Sequence, residues 1–157
     1  MGNIERRLAE LNIVLPPASN PAANYTNCVE ANGLLFVSGK IPLVDATGAQ
    51  PAKGKLGREY TTQQGYKLAR SAGTDILAVV QLALGTLDRV ARVVKLQGFI
   101  NATEEFDEHP QVLNGCSDLM VEVFGDKGVH ARSVLGAVSV RGNQPLVIES
   151  IFAVVPM

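Results

Sequence analysis

The most constraining feature of this sequence is a segment near its carboxy terminus that is apolar on both of its alternating faces. From Pro145 to Val155 the chain reads PLVIESIFAVV, and Glu149 is its only ionisable residue. Successive side chains of a strand point to opposite faces of a sheet, so both faces of this strand need cover. Helices on one side would leave the second face bare. We therefore expect another copy of the protein to cover it, and we predict an oligomer.

The remaining patterns predict the element order β-β-α-β-α-β-β after a short leading helix. Predicted strands cover 26–31, 34–38, 89–101, 133–140 and 145–155, predicted helices cover 61–84 and 108–124, and 42–60 is a predicted loop. Thr61 and Gln64 form a capping box at the first long helix, and Asn32-Gly33 favours a tight hairpin turn. This order predicts a two-layer α+β fold. The 157 residues fit one domain, 1–157, in which 2–15 form an extra amino-terminal helix and linker.

Charge and composition argue against several classes of function. The formal net charge is −1 and the pI is near 6.1, so nucleic acid is an unlikely main partner. No apolar run approaches the roughly 20 residues that cross a bilayer, and the polar amino terminus lacks a secretory signal, which predicts a cytoplasmic protein without a membrane partner. Cys28 and Cys116 have no metal-binding spacing, and we expect buried thiols rather than a disulfide.

Two charged residues near the last strands are candidates for a site. Arg132 precedes a predicted strand with no acidic residue in its local sequence, and its guanidinium suits a carboxylate or phosphate, although a surface arginine fits as well. Glu149 is either half of a structural ion pair or part of a site. If the last two strands pair about the turn at Gly142, Glu149 lies opposite Gly136 and on the same face as Arg132.

No pattern of metal ligation or nucleophilic catalysis is present. His109 and His130 have no Asp, Glu or Cys ligand at suitable spacing, and no Ser-His-Asp or Cys-His arrangement can be assembled with specificity. The glycines form neither a dinucleotide-binding fingerprint nor a P-loop. We therefore predict no metal and no cofactor.

Six stretches of the chain resemble the RidA family, also called YjgF/YER057c/UK114, over residues 20–155. They are 36–42 (FVSGKIP), 85–90 (GTLDRV), 99–103 (FINAT), 114–119 (NGCSDL), 128–133 (GVHARS) and 148–151 (IESI). The detail is closer to the YjgF-like branch with a longer loop before the first helix. The resemblance implies a chorismate-mutase-like fold and a homotrimer in which three sheets line a central β-barrel, with clefts between subunits.

The resemblance also implies a reaction, the hydrolysis of 2-imino or 2-enamino acids to 2-keto acids and ammonia without a cofactor. Arg132 matches an arginine that clamps the substrate carboxylate, and the Val134 carbonyl matches a group that holds the amino nitrogen. Glu149 is the candidate for the glutamate that positions water. The cleft-lining positions of the family are matched by Tyr25, Ser38 and Asn114.

Two departures from the family pattern keep alternatives open. Val134 stands where the deaminases of the family often carry Cys, Ser or Thr. Val147 stands where the family usually has its water-positioning glutamate, and Glu149 is the next residue on that face. A non-catalytic small-carboxylate binder or chaperone-like trimer is therefore the alternative to an imine deaminase. An endoribonuclease, the weakest hypothesis, lacks a histidine pair at plausible spacing.

Overall fold

Five strands form one mixed sheet, and two long helices cover one of its faces, in a computed structural model that describes residues 1–45 and 51–157. The helices are α1 (Asn3–Glu10), α2 (Thr62–Leu84) and α3 (His109–Phe124), and the strands are β1 (Cys28–Ala31), β2 (Leu34–Lys40), β3 (Val90–Asn101), β4 (Ala131–Ala137) and β5 (Leu146–Val154). Short 3₁₀ turns cover Leu87–Arg89, Gly125–Gly128 and Arg141–Asn143. The predicted two-layer α+β fold is confirmed.

Local sequence signals set the starts and turns of these elements. Thr61 and Gln64 exchange two hydrogen bonds at the start of α2, which confirms the capping box. Gly85 ends α2 in the left-handed region, at a φ of 82° that glycine adopts without strain. Asn32 and Gly33 join β1 to β2 with φ values of 53° and 77°, as the tight hairpin requires. In the predicted loop 42–60, the described parts hold no helix or strand, and 46–50 lie outside the described residues.

The pairing predicted for the last two strands is wrong. The sheet order is β1-β2-β5-β3-β4, so β3 lies between β4 and β5. Glu149 pairs with Gln97 rather than with Gly136, which pairs with Ile100. The reason is that α3 connects β3 to β4, and a helical connection returns the chain parallel to the strand it left. The chain then runs back as β5, antiparallel to β3 along its other edge.

The two faces of the sheet differ in their cover. Leu96, Ile148 and Phe152 lie fully buried beneath α2 and α3. On the other face, Phe36 and Leu135 keep 43% and 47% of their surface exposed. The predicted second apolar face is therefore present, and its cover by another copy stays a prediction.

A close approach of α2 and α3 fixes the helical layer. A Cβ at Gly115 of α3 would collide with the backbone carbonyl of Tyr66 in α2. Only glycine fits there, because the two backbones nearly touch. The contact fixes the spacing of α3 from α2, and α3 also packs on β4.

The leading helix α1 docks on the 3₁₀ turn that follows α2. Asp88 accepts hydrogen bonds from the backbone N–H groups of Asn3 and Ile4, both at 2.8 Å. Glu5 in turn accepts from the Leu87 N–H at 3.0 Å, and Leu8 is buried in the core. The predicted amino-terminal helix therefore packs on the domain through carboxylates that cap backbone donors.

Candidate functional site

The seam between α3 and the edge strand β4 brings together several polar residues. Ser117 contacts Arg132 at one end of the seam, and the His109 imidazole occupies the space of a Cβ at Gly136 at the other end. The eight residues of helix between these contacts rise about 12 Å. The four residues of strand rise about 13 Å. The two rises are nearly equal, so the helix and the strand lie side by side along the seam, and alternate β4 residues face α3.

Arg132 is held at this seam by two neutral acceptors. Its Nη1 donates to the Ser117 hydroxyl at 2.9 Å, and its Nη2 donates to the backbone carbonyl of Pro110 at 3.2 Å. These contacts use two of the five N–H donors of a guanidinium. No ion pair among the described residues involves Arg132. Its charge is thus fixed in place but not neutralised, as the binding of an anion requires.

Asn114 shares one side of α3 with the two residues that hold Arg132. Residues three and four apart share one side of a helix, so Asn114 lies between Pro110 and Ser117 on the same side of α3. Its amide also lines the groove between α2 and α3 near Tyr66. Val134, two residues after Arg132, lies on the same face of β4 and packs on the core. The structure therefore places Arg132 and Val134 on one face of β4, and Asn114 on the side of α3 that carries the Arg132 partners Pro110 and Ser117.

Ser117 also links Arg132 to a histidine, His130. His130 Nδ1 lies 2.6 Å from the Gly128 carbonyl oxygen, and Nε2 lies 2.9 Å from the Ser117 hydroxyl oxygen. Burial lowers the pKa of His130, and the neighbouring Arg132 charge lowers it further, while the bond to Gly128 opposes both. We call Arg132, Ser117, His130 and the carbonyls of Pro110 and Gly128 the arginine network.

Cys116 lies next to the arginine network, but its thiol is not a reactive group. The side chain is fully buried, and burial raises the pKa of its thiol to about 12, although the Arg132 charge opposes the shift. A thiol with so high a pKa is a poor nucleophile. Both cysteines are free, as predicted; Cys116 is buried and Cys28 half-buried.

A separate cavity opens at the other end of the molecule, beside β2 and β5. It has a volume of about 320 Å³, and we call it the Tyr25 cavity. Its lining includes Ser19, Tyr25, Gly39, Lys40, Arg141 and Val147. A Cβ at Gly39 would stand 2.6 Å from the Val147 side chain, so the glycine leaves room for that valine. Val147 is thus one of several apolar residues that line the cavity, together with the cations Lys40 and Arg141.

Lys40 lies at the wall of this cavity and is 4% exposed. Its ammonium donates to Asn27 Oδ1 at 2.6 Å and to the Ser19 hydroxyl at 3.1 Å. That hydroxyl donates to Asp75 at 2.5 Å, and the Ser19 N–H donates to the same carboxylate at 3.0 Å. The buried Asp75 therefore balances the Lys40 charge through Ser19.

The remaining predicted site residues lie away from Arg132 in a single chain. Tyr25 lines its own cavity, and the Ser38 hydroxyl donates to the Thr26 carbonyl at 2.7 Å. Glu149 is exposed on the open face of the sheet, in a small depression beside Gln97. Arg132 pairs with Leu96 and so faces the helices. The prediction that Arg132 and Glu149 share a face is wrong, because it assumed that β4 and β5 pair.

Two elements of the site were not found from the sequence. Ser117 lies in the stretch NGCSDL, three residues after Asn114, and that spacing is the signal for a shared helix side. Lys40 and Asp75 are charged residues in otherwise apolar elements, a pattern that indicates a buried charged pair.

Within 1–45 and 51–157, no three His, Cys, Asp or Glu side chains converge as a metal site requires. None of the helices in these ranges is both long and apolar enough to span a bilayer.

Comparison with known proteins decides the family. The profile of the family described as "YjgF/chorismate_mutase-like, putative endoribonuclease" matches residues 5–154. The chain belongs to this family. The Trypanosoma cruzi protein TCP17 is 42% identical over 136 residues, which are 86% of this chain and 84% of TCP17. The predicted RidA/YjgF membership is therefore confirmed.

Solved structures of the same fold support this assignment. Protein Atu1372 of Agrobacterium tumefaciens, of unknown function, is 36% identical with a TM-score of 0.84, over 96% of this chain and 91% of that one. A protein of Shewanella oneidensis described as a "putative endoribonuclease" is 29% identical with a TM-score of 0.91, over 98% and 100%. The chorismate-mutase-like YjgF fold is thus shared along nearly the whole chain.

Proposed function

We propose that this protein hydrolyses reactive 2-imino or 2-enamino acids to 2-keto acids and ammonia. The observation that carries the proposal is the state of Arg132. Its guanidinium is held by Ser117 and Pro110, has N–H donors to spare, and has no carboxylate partner among the described residues. Such a group binds the substrate carboxylate in two-point fashion and fixes the orientation of the adjacent C=N bond.

The proposed reaction site lies between copies of the chain, in a homotrimer. A single chain separates Arg132 and Asn114 from Tyr25 and Glu149, so a complete cleft needs residues from a second copy. The exposed apolar face that includes Phe36 and Leu135 supports such an assembly. The family resemblance makes the trimer the expected form.

The proposed reaction requires little from the protein beyond orientation of the substrate and the water. Water adds to the imine carbon and gives one proton to nitrogen, which forms a carbinolamine. The hydroxyl proton of the carbinolamine then passes to nitrogen as the C–N bond breaks, which releases ammonia and forms the keto group. Arg132 orients the carboxylate, Asn114 lies on the side of α3 that holds Arg132, and the Val134 carbonyl is our candidate for holding the amino group. Glu149 is our candidate for orienting the water, and it has to come from a neighbouring copy because it faces the other side of the sheet.

Ammonia release tests this proposal. Imino acids are generated in situ by an amino acid oxidase, and hydrolysis is compared for the wild type, Arg132→Ala and Arg132→Lys. We expect acceleration by the wild type, about 100-fold less with Arg132→Ala, and a partial loss with Arg132→Lys, which keeps the charge but not the fork. An Arg132→Ala variant as active as the wild type would refute the proposal.

A second candidate, a non-catalytic binder of small carboxylates, is favoured by Val147. This valine gives the Tyr25 cavity an apolar wall where the family usually carries a carboxylate. A binder would show saturable uptake of 2-keto acids by calorimetry and no acceleration of imine hydrolysis. RNA cleavage that survives Arg132→Ala and repeated purification would instead support the endoribonuclease activity named in the family description.

A further inference from the structure

We propose that Ser117 and His130 are positioning residues that hold Arg132 in its ligand-binding orientation, through a hydrogen-bond relay anchored on the Gly128 carbonyl. The inference rests on the proposed function for the role of Arg132, but the relay itself is a property of the fold.

Burial lowers the pKa of His130 and so favours a neutral ring, and in a neutral ring the direction of every hydrogen bond in the relay follows from its first member. The Gly128 carbonyl can only accept, so His130 Nδ1 carries the hydrogen of their 2.6 Å contact. The opposite nitrogen of the neutral ring is then an acceptor. At 2.9 Å from His130 Nε2, the Ser117 hydroxyl must donate its single hydrogen to the ring. Its lone pairs then face Arg132, which donates from Nη1 at 2.9 Å.

Each hydrogen bond of the relay restricts the orientation of the next group. A free serine hydroxyl rotates among several acceptors and can direct its hydrogen at a nearby cation. With its hydrogen committed to His130, Ser117 offers only lone pairs to the guanidinium. The Pro110 carbonyl holds Nη2 at 3.2 Å, so two separate acceptors define the plane of the guanidinium.

Such positioning has a clear energetic reason. A long arginine side chain on an edge strand samples many rotamers, and a ligand that must order it loses affinity. Arg132 is already ordered by neutral groups that leave its charge uncompensated. The neighbouring Cys116 is fully buried with a raised pKa, so its thiol stays neutral and does not compete for the guanidinium.

The variants that test this role come in matched pairs. Ser117→Ala removes the acceptor for Arg132, whereas Ser117→Thr keeps a hydroxyl. His130→Ala removes the acceptor for Ser117, whereas His130→Gln can still supply a carbonyl oxygen near the position of Nε2. Ser71→Ala, which changes a half-buried serine of α2 outside the arginine network, is the control.

We expect the two truncations to raise KM for the imino acid, or Kd for a 2-keto acid, about tenfold with little change in kcat, because each loses a hydrogen bond that orders a charged group. Ser117→Thr and His130→Gln should recover most of the loss, and Ser71→Ala should match the wild type. Equal KM and Kd values in the wild type and both truncations would overturn the proposal.

A second measurement does not depend on turnover or binding. Nitrogen-15 NMR of the full-length protein should show His130 as the Nδ1–H tautomer and slow rotation of the Arg132 guanidinium, which becomes fast in Ser117→Ala. An Nε2–H tautomer, or a guanidinium equally mobile in both proteins, would overturn the relay. If the wild type neither hydrolyses imines nor binds keto acids, the proposed function fails, while these NMR results still decide the relay.

Discussion

Lys40 and Arg132 are two cations in sheltered positions of the same sheet, and they differ in what balances them. Lys40 is buried, and Asp75 compensates its charge through Ser19. Arg132 is bound only by neutral oxygens of Ser117 and Pro110 in the described structure, and it remains partly exposed. The first arrangement completes an internal network, and the second leaves a positive charge for a ligand. The hydrogen-bond partners of each cation, rather than its charge alone, therefore assign Lys40 to a structural network and leave Arg132 for a ligand.

The largest effect is expected on the Lys40 side, from Asp75→Ala. The substitution leaves a buried ammonium without its counter-charge, and we expect a loss of about 3–5 kcal/mol in the free energy of unfolding. Urea denaturation measures it, with Asp107→Ala as the control on an exposed aspartate just before α3. The double variant Lys40→Met/Asp75→Ala should recover part of the loss. Equal stability of Asp75→Ala and the control would contradict the assignment of Lys40 to a structural network.

The next prediction concerns the apolar wall of the Tyr25 cavity. Val147→Glu places a carboxylate at the wall of the Tyr25 cavity, which Arg141 also lines. If the cavity joins Arg132 of a neighbouring copy, ammonia release should rise by at least about tenfold, a modest part of what a general base supplies. Val147→Gln controls for size and polarity without charge. A rise of equal size with Val147→Gln would show that the carboxylate is not responsible.

Arg132→Met should have a much smaller effect on stability than Asp75→Ala. The methionine gives up two hydrogen bonds but leaves no buried charge behind, so we expect a change below about 1 kcal/mol in unfolding free energy. Urea denaturation beside the Asp75 series is the test. A loss as large as that of Asp75→Ala would make Arg132 a structural residue and weaken its proposed role.

The smallest effect is expected at Asp88 and Glu5, the carboxylates that dock α1. Backbone N–H groups of Ile4 and Asn3 lower the pKa of Asp88. Burial raises the pKa of Glu5, but hydrogen bonds from Leu87, Gln81 and Thr86 outweigh it and leave that pKa lowered. Stabilisation by such groups is present above the ordinary pKa of about 4 and is lost as the pH falls through the lowered value.

Hydrogen exchange of the α1 amides tests whether the docking of α1 weakens at low pH. We expect protection of α1 to fall below about pH 4 while the α2 and α3 amides stay protected. In Asp88→Asn the protection of α1 should already be weaker at pH 7, and its dependence on pH should shrink. Protection of α1 that is unchanged in acid would show that the carboxylates do not dock the helix.

Local chemistry explains why much of the fold was predictable from the sequence. The capping box of Thr61 and Gln64 and the turn at Asn32-Gly33 depend on a few adjacent residues, and both are confirmed. The pairing of β4 with β5 was predicted from their closeness in sequence. It failed because the helical connection α3 makes β4 parallel to β3 and leaves the other edge of β3 for β5.

The candidate site was less predictable for the same reason. Arg132 was singled out from its sequence context, but its partners Ser117 and Pro110 come from another element, and only the packing of α3 on β4 reveals them. The link between Lys40 and Asp75 likewise joins residues 35 positions apart through Ser19. A site that spans two copies of the chain is further still from any single-sequence pattern.

Calorimetric titration of a 2-keto acid into the wild type and Arg132→Met tests the central claim most directly, because a keto acid carries the carboxylate of the proposed substrate without its reactive imine. We predict saturable binding at one site per chain in the wild type and none in Arg132→Met at the same concentrations. Binding of equal affinity in both proteins would contradict the assignment of Arg132 as the carboxylate clamp.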